Sequence, residues 1–311
     1  MRVPRAADLT LSAAIARAYN FRIGAGPRNV VTMRASGAVM GIFEQFDRKR
    51  ARRITGLAIV LVPALYFFPI ITAIFVACGA LDVSRHRRIS YDLIEKYFMG
   101  RGIITWLLSP LNLLADLFSY PNKGQYALMD LPAEHRAEIE TCVRAFVGNA
   151  ELIKAHIAKT IGDNKRSMLT FKWYEAEQGT DLKIAAFAEN YRYIKTIAVS
   201  VFNTRERTSW HFGPLRLTFR VLYNLEPIDS RDVFIEVDDK IHYWRDEPLF
   251  IFDDTMFHRS INDVDHIRYC LFMDIVRPNY AQSAFEVAVQ AASIIAGSFK
   301  RLFYRHWSFV R

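Results

Sequence analysis

The run ITGLAIVLVPALYFFPIITAIFVACGAL, residues 54–81, is 28 residues long and carries no charge. About 20 consecutive apolar residues suffice to cross a bilayer core as a helix, so this run constrains the chain before any other feature does. It begins too late and runs too long for a cleaved secretory signal, and a basic body follows it. The expectation is a membrane segment. DRKRARR (47–53) precedes it and SRHRR (84–88) follows it, so the positive-inside rule gives no clean orientation. Pro63 and Pro69 leave open a kinked or re-entrant hairpin beside a single tilted span.

The charge of the chain follows from that run. A net charge of +9 over 311 residues could point to a nucleic-acid partner. Residues 1–53, however, hold eleven of the 41 Lys and Arg and only three of the 32 Asp and Glu. The remainder is close to neutral, and the basic end adjoins the apolar run, where anionic lipid headgroups would meet it. No nucleic-acid partner is expected. Cys78, Cys142 and Cys270 are too scattered for a disulfide framework or a zinc site, which fits a reducing compartment.

Two further stretches have interfacial character. GIITWLLSPLNLLADLFSY (102–120) is apolar with one acid, and carries Trp106 and Tyr120 near its ends. FEVAVQAASIIAGSFKRLFYRHWSFVR (285–311) begins with small residues and ends with aromatics between Lys300, Arg301, Arg305 and Arg311. Both suit helices at headgroup level, and both also suit ordinary core helices. LPAEHRAEIETCVRAFVGNAELIKAHIAKT (131–160) has the apolar spacing of an amphipathic helix. From 190 onward short β-rich runs follow one another at 193–203, 215–225, 233–244, 248–254 and 267–276. The run at 233–244 reads as a hairpin turning at Asp238-Asp239-Lys240. Such spacing predicts an antiparallel barrel or jelly roll able to hold a ligand between two sheets.

Two His stand at strand ends in this region. His211 opens one run in SWHFGPLRLTFR (209–220), and His258 follows FIFDDTMF. An iron site built on one face usually takes two His and a carboxylate two residues after the first, and that place is held by Gly213. Taken singly, either His is more often structural than ligating. Asp253 and Asp254 read as turn residues, or as carboxylates that orient a ligating His. Trp210, Phe212 and Phe219 read either as the lining of an acyl pocket or as barrel packing.

HFGP at 211–214, FIFDDTMFH at 250–258 and IRYCLFMDIVRP at 267–278 resemble the aspartyl/asparaginyl β-hydroxylase family of Fe(II)/2-oxoglutarate-dependent dioxygenases. The membrane run, LLSPLNLLADLFSYPNKGQYALMDLP (107–132) and FIEVDDKIHYWRD (234–246) look most like its bacterial lipid A hydroxylase branch. The resemblance spans about 54–280. It implies a mainly β fold, a double-stranded β-helix of the jelly-roll, cupin-like kind, with flanking helices and an N-terminal membrane segment. The organisation expected is a basic tail with the composition of a disordered segment at 1–53 and a transmembrane or re-entrant plus interfacial segment at 54–120. The catalytic domain follows at 121–283, and an amphipathic basic helix at 284–311.

By the same resemblance, His211 and His258 are the iron ligands, and Gly213 is the family's own residue where the acid would be. Arg268, ten residues after His258, and Ser200, eleven before His211, would hold the far carboxylate of 2-oxoglutarate, for which a planar guanidinium is well matched. Arg220 would point into the pocket, serving substrate or cosubstrate. Leu222 departs from the family, which usually has a His there. The implied activity is hydroxylation of an acyl chain of a membrane lipid, most of all lipid A, with Fe(II), 2-oxoglutarate and O2, at the bacterial inner membrane with the catalytic domain facing the cytoplasm. The alternatives are an ornithine-lipid or other aminolipid acyl hydroxylase, a protein Asp/Asn β-hydroxylase, and a non-catalytic membrane-anchored barrel.

Overall fold

The β-rich half is built of two sheets. In the computed structural model, which describes residues 36–162, 164–303 and 307–310, strands β2 (Arg166–Trp173), β4 (Ile194–Phe202), β6 (Thr218–Asn224), β9 (Leu249–Phe252) and β11 (Arg268–Val276) form the centre of an eight-stranded sheet. Its order is β1-β9-β6-β11-β4-β2-β12, with β1 (Gln125–Tyr126) and β12 (Ser308–Val310) at the edges and β3 (Ala176–Glu177) on β2. All its pairings are antiparallel except β2 with β12. A four-stranded antiparallel sheet is ordered β5 (Glu206–Arg207), β10 (His258–Asn262), β7 (Val233–Val237), β8 (Lys240–Tyr243).

Every residue of β4 and β11 is buried, which is what a strand covered on both faces requires. One face, with Ile197, Val199, Phe219, Val221, Leu271 and Met273, packs on Ile139, Phe146, Ile153 and Ile157 of two helices. The other face, with Met168, Ala198, Cys270 and Phe272, packs on Val233, Ile235 and Val237 of the small sheet. The fold is thus mainly antiparallel β, with helices flanking it.

The helices depart from expectation in several places. The chain divides into residues 1–52 and 53–311. Residues 1–35 of the expected basic tail lie outside the described residues, but from Ser36 the chain is helical, as α1 (Ser36–Phe67). The apolar run 54–81 is not one helix. It breaks at Phe68 (φ −136, ψ 59), and α2 (Pro69–Val83) begins with Pro69 in its first turn, because the residue before a proline is driven out of the helical region. Among the described residues no helix is long and apolar enough to cross a membrane. Many side chains of the run are nonetheless exposed, among them Ile59, Tyr66 and Ile70 at 67%, 81% and 75%.

Residues 102–120 fold as two short helices, α4 (Ile103–Leu107) and α5 (Ser109–Leu117), after α3 (Tyr91–Met99). Trp106 is buried, donating to the Phe75 carbonyl at 2.9 Å, so it is a packing residue and not an interfacial anchor. The amphipathic stretch 131–160 is α6 (Ala133–Gly148) and α7 (Ala150–Ile161), parted at Asn149. Among the described residues, the C-terminal stretch is helical over α9 (Gln282–Phe303), which follows the short α8 (Ala185–Ala188). It ends as strand β12 on β2, because its Val310 packs into the core.

Buried charges tie the helical layer to the sheets. Arg216, fully buried, contacts Asp82 of α2, Asp116 of α5 at 2.7 Å and Asp253 at 3.4 Å. Arg85 reaches Asp253 at 2.7 Å. Burial opposes ionisation of Asp253, but Arg85 and Arg216 overcome it and hold its carboxyl well below the usual range. Losing either cation would strand a charge in a dry interior.

Candidate active site

His211 and His258 are brought together by the backbone itself. They form an isolated antiparallel bridge, with His211 N–H donating to His258 O at 2.9 Å and the reverse bond at 3.0 Å. Their rings lie 4.1 Å apart between centroids. Each ring nitrogen Nδ1 is 2.8 Å from a carbonyl two residues back, Ser209 for His211 and Met256 for His258. A carbonyl can only accept, so both rings carry the proton on Nδ1 and leave the Nε2 lone pair available. Burial lowers both pKa values, to about 3 for His211, where the neighbouring His258 adds to the effect, and to about 4 for His258. Both are therefore neutral imidazoles at pH 7, the form that binds a metal.

Gly213 has a steric reason. A Cβ there would lie 1.8 Å from Asp254 Oδ2 and 2.3 Å from its Cγ. The carboxylate missing from position 213 is replaced in space by that of Asp254, whose Oδ1 lies 3.3 Å from His258 Nε2. Arg220 donates to Asp254 at 2.6 Å and to Asp274 at 3.0 and 3.1 Å. Burial pushes the Asp254 carboxyl up, and Arg220 pulls against that shift. Arg220 thus lines the pocket with its guanidinium held by two carboxylates, beneath which Phe272 lies 4.2 Å away. Among the described residues, no group of three or more His, Cys, Asp and Glu has the form of a metal site. The donor set is two imidazoles, with one carboxylate beside them that is paired to Arg220.

Arg268 lines the same pocket from β11. It is buried, donates through Nη2 to Ser260 Oγ at 2.9 Å, and has no hydrogen-bond partner for Nε or Nη1. Phe202 and Trp244 lie against its guanidinium, at 4.3 and 5.3 Å from the ring centroids. Burial lowers its pKa to about 10, which still leaves it charged at neutral pH. A buried guanidinium with two open donors is a place for an oxyanion. Ser200 opens on the pocket close by, with its hydroxyl 3.3 Å from the Cys270 carbonyl. Leu222 lines the pocket too, so the site is apolar where the resemblance leads one to expect a donor.

Of the three aromatics considered for an acyl pocket, Phe212 lines it. Trp210 stacks on Phe257 at 4.6 Å in the helical layer. Phe219 faces away, stacked on Tyr126 at 4.3 Å, because successive residues of β6 point to opposite faces and Arg220 takes the pocket side. Asp253 serves the buried ion network described above. Sequence reasoning did not single out Arg166, Arg101 or Trp307, which also line the pocket. Two neutral imidazoles and an orphaned buried cation, set in one cleft, are the donor chemistry that iron and a dicarboxylate cosubstrate require.

Residues 155–278 match the family model described as aspartyl/asparaginyl β-hydroxylase. A curated relative, the ornithine lipid ester-linked acyl 2-hydroxylase of Rhizobium tropici, is 30% identical over 95 residues. The match takes in 30% of this chain and 33% of the relative, so the chain spans about a third of that protein's length. Among solved structures, a 2OG-Fe(II) oxygenase family oxidoreductase from Burkholderia pseudomallei overlaps 42% of this chain and 78% of its own, at 12% identity and a TM-score of 0.29. A cupin superfamily protein from Desulfitobacterium hafniense overlaps 39% and 88%, at 12% identity and a TM-score of 0.24. Overlaps this partial say nothing of function. Residues 155–278 thus carry this chain's similarity to the aspartyl/asparaginyl β-hydroxylase family.

Proposed function

We propose that the protein is an Fe(II)/2-oxoglutarate-dependent dioxygenase on a double-stranded β-helix, hydroxylating an acyl chain of a membrane lipid. The observation that carries this reading is the pairing of two neutral, bridged imidazoles with the orphaned Arg268 guanidinium in one pocket. His211 and His258 would hold the iron. Arg268, with Ser200 beside it, would hold the far carboxylate of 2-oxoglutarate. When bound, the iron and 2-oxoglutarate supply the oxidising power that puts one oxygen atom of O2 into a C–H bond, with succinate and CO2 released.

The chain's own part is to position and to exclude. The carbonyls of Ser209 and Met256 fix the ring tautomers. Arg220 holds the Asp254 carboxylate against His258, in the space beside Gly213. Leu222, Phe252, Phe272 and Phe212 give the pocket apolar walls suited to an alkyl chain.

A lipid substrate is supported by the Rhizobium relative, whose name specifies a lipid acyl hydroxylase, and by the exposed apolar side chains of 54–81 and of Leu107, Leu114 and Leu117. Exposed apolar side chains concentrated in one stretch of chain suit lipid or partner contact, and they favour work at the bacterial inner membrane, with the catalytic domain on the cytoplasmic side where Fe(II) and 2-oxoglutarate are available. Lipid A, from the sequence resemblance, and an ornithine lipid, from the relative, are the two substrates to try. The test is succinate release by detergent-purified protein given Fe(II), ascorbate, 2-oxoglutarate and each lipid. Lipid-stimulated release that His211→Ala and His258→Ala abolish supports the proposal. Release that is equal in both variants and the natural protein, or absent with either lipid, refutes it.

A further inference from the structure

Among the described residues, four arginines line the pocket. Arg220 is matched by Asp254 and Asp274, and Arg268 stands open for the cosubstrate. Arg166 and Arg101 remain, and both line the same pocket. Arg166 lies on the same rung of the large sheet as Arg268, each being the Cα partner of Phe202 from opposite sides. Residues directly opposite in a sheet point to one face, so both guanidiniums rise from the pocket face, two strands apart. Aromatic rings part them: Arg268 lies over Phe202, Phe202 meets Trp307 edge-on at 5.3 Å, and Arg166 lies 5.7 Å from the Trp307 centroid. The rings of Phe202 and Trp307 therefore stand between Arg268 and Arg166.

Arg166 is poorly satisfied where it stands. Its buried Nε makes no hydrogen bond and is matched only by an ion pair of that same atom with the Glu206 carboxylate at 3.4 Å. Burial lowers its pKa, Glu206 opposes that shift, and the like charge of Arg101 adds to the lowering. Arg101 is exposed, lines the pocket and donates to Ser209 Oγ at 2.9 Å, two residues before His211. Two guanidiniums that line one cleft, of which Arg166 is paired with Glu206 and Arg101 has, among the described residues, only a neutral hydroxyl partner, would both be served by an anion between them.

We propose that Arg166 and Arg101 form a second anion site, which takes the phosphate or carboxylate of the substrate's headgroup and so makes the substrate an anionic acyl lipid. This rests on the lipid hydroxylase reading above and adds what selects the substrate. Headgroup capture at this site fixes how far down the acyl chain the His pair reaches. Trp307 props Arg166, so the C-terminal strand β12 helps complete the subsite.

The test uses the full chain in detergent with 2-oxoglutarate and Mn(II), and measures binding by calorimetry. The probes are dihexanoyl phosphatidic acid, N-octanoylglycine, neutral dihexanoylglycerol and inorganic phosphate. The natural protein should bind the two acidic lipids roughly tenfold or more tightly than the neutral one, as charge-assisted bonds to guanidinium imply. Arg166→Gln should remove most of that preference, and Arg166→Gln with Arg101→Gln all of it. Arg101→Gln alone, at an exposed position, should weaken it without threatening the fold.

An unchanged preference in the double variant overturns the proposal. So does inorganic phosphate binding as tightly as phosphatidic acid, which would make this a free-phosphate site. A loss of 2-oxoglutarate affinity in Arg166→Gln, with lipid preference intact, would assign Arg166 to the cosubstrate and likewise overturn it. If the arginines govern lipid preference as stated but no lipid stimulates succinate release, the anion site stands and the hydroxylase reading fails.

Discussion

Gly213→Ala is the most exacting substitution the site offers. The added Cβ would sit 1.8 Å from Asp254 Oδ2, 2.3 Å from its Cγ and 2.9 Å from its backbone oxygen. The backbone cannot retreat easily, because Gly213 N–H donates to the Asp254 carbonyl at 2.7 Å. The carboxylate must leave, and with it the 2.6 Å bond to Arg220. Stripping a partner from a buried ion pair costs about 3–5 kcal/mol, and since Asp274 stays on Arg220 the lower end applies. The tight contact with the backbone oxygen adds about 1 kcal/mol of overpacking. Gly213→Ala should thus destabilise by about 4 kcal/mol, which urea denaturation would read. In an Asp254→Ala background the same change should cost only about 1 kcal/mol, a coupling of about 3 kcal/mol in the double-mutant cycle. Gly213→Asp should behave no better: it writes the H-x-D pattern into the sequence but drives two carboxylates into one space, so Mn(II) affinity should fall. Additive effects of Gly213→Ala and Asp254→Ala, or a tighter Mn(II) site in Gly213→Asp, would refute this reasoning.

Further predictions follow from the buried charges. Arg268→Gln should weaken 2-oxoglutarate binding by about tenfold or more, yet raise the melting temperature of the ligand-free protein, because it removes a buried charge that no carboxylate matches; calorimetry and a thermal scan read the two opposite signs. Arg216→Met should cost about 3–5 kcal/mol in urea, since Asp82, Asp116 and Asp253 lose their shared cation. Burial lowers the His135 pKa from 6.5 to about 4, so the unfolded chain binds that proton more readily than the folded one. Its contribution is complete above pH 6.5 and is lost as the pH falls towards about 4, by up to about 3 kcal/mol. His135→Gln, which keeps a donor for the Val276 carbonyl that the ring now contacts at 3.1 Å, should flatten the stability profile over that range.

Much of the β-rich half was legible because short β-rich runs between turns are a local signal. The runs at 193–203, 215–225, 233–244, 248–254 and 267–276 all contain strands, and Asp238 takes the positive φ of a hairpin turn at 56°. Strand β2 escaped notice because Arg166 and Lys172 break its apolar run, although the strand is buried from Ser167 to Trp173. With it went Arg166, whose place beside Arg268 depends on the pairing of three strands and on no local pattern. The helical layer was legible only in part. The break at Phe68 falls at Pro69, where the prolines had left a kinked run open, whereas nothing local showed that buried Asp82, just past its end, turns towards Arg216. Gly213 looked like a missing acid from spacing alone. Its cause is the Asp254 side chain, 41 positions along the chain, and only the fold brings the two together.

The central claim is that this pocket places oxygen from O2 on a lipid acyl chain, and isotope labelling tests it most directly. The purified protein would be incubated with Fe(II), 2-oxoglutarate, a lipid A or ornithine lipid preparation, and either labelled O2 or labelled water, with the lipid then read by mass spectrometry. The account predicts one added oxygen in an acyl chain, labelled from O2 and not from water, matched by succinate and absent in His211→Ala and His258→Ala. An unmodified lipid, or an oxygen drawn from water, would contradict it.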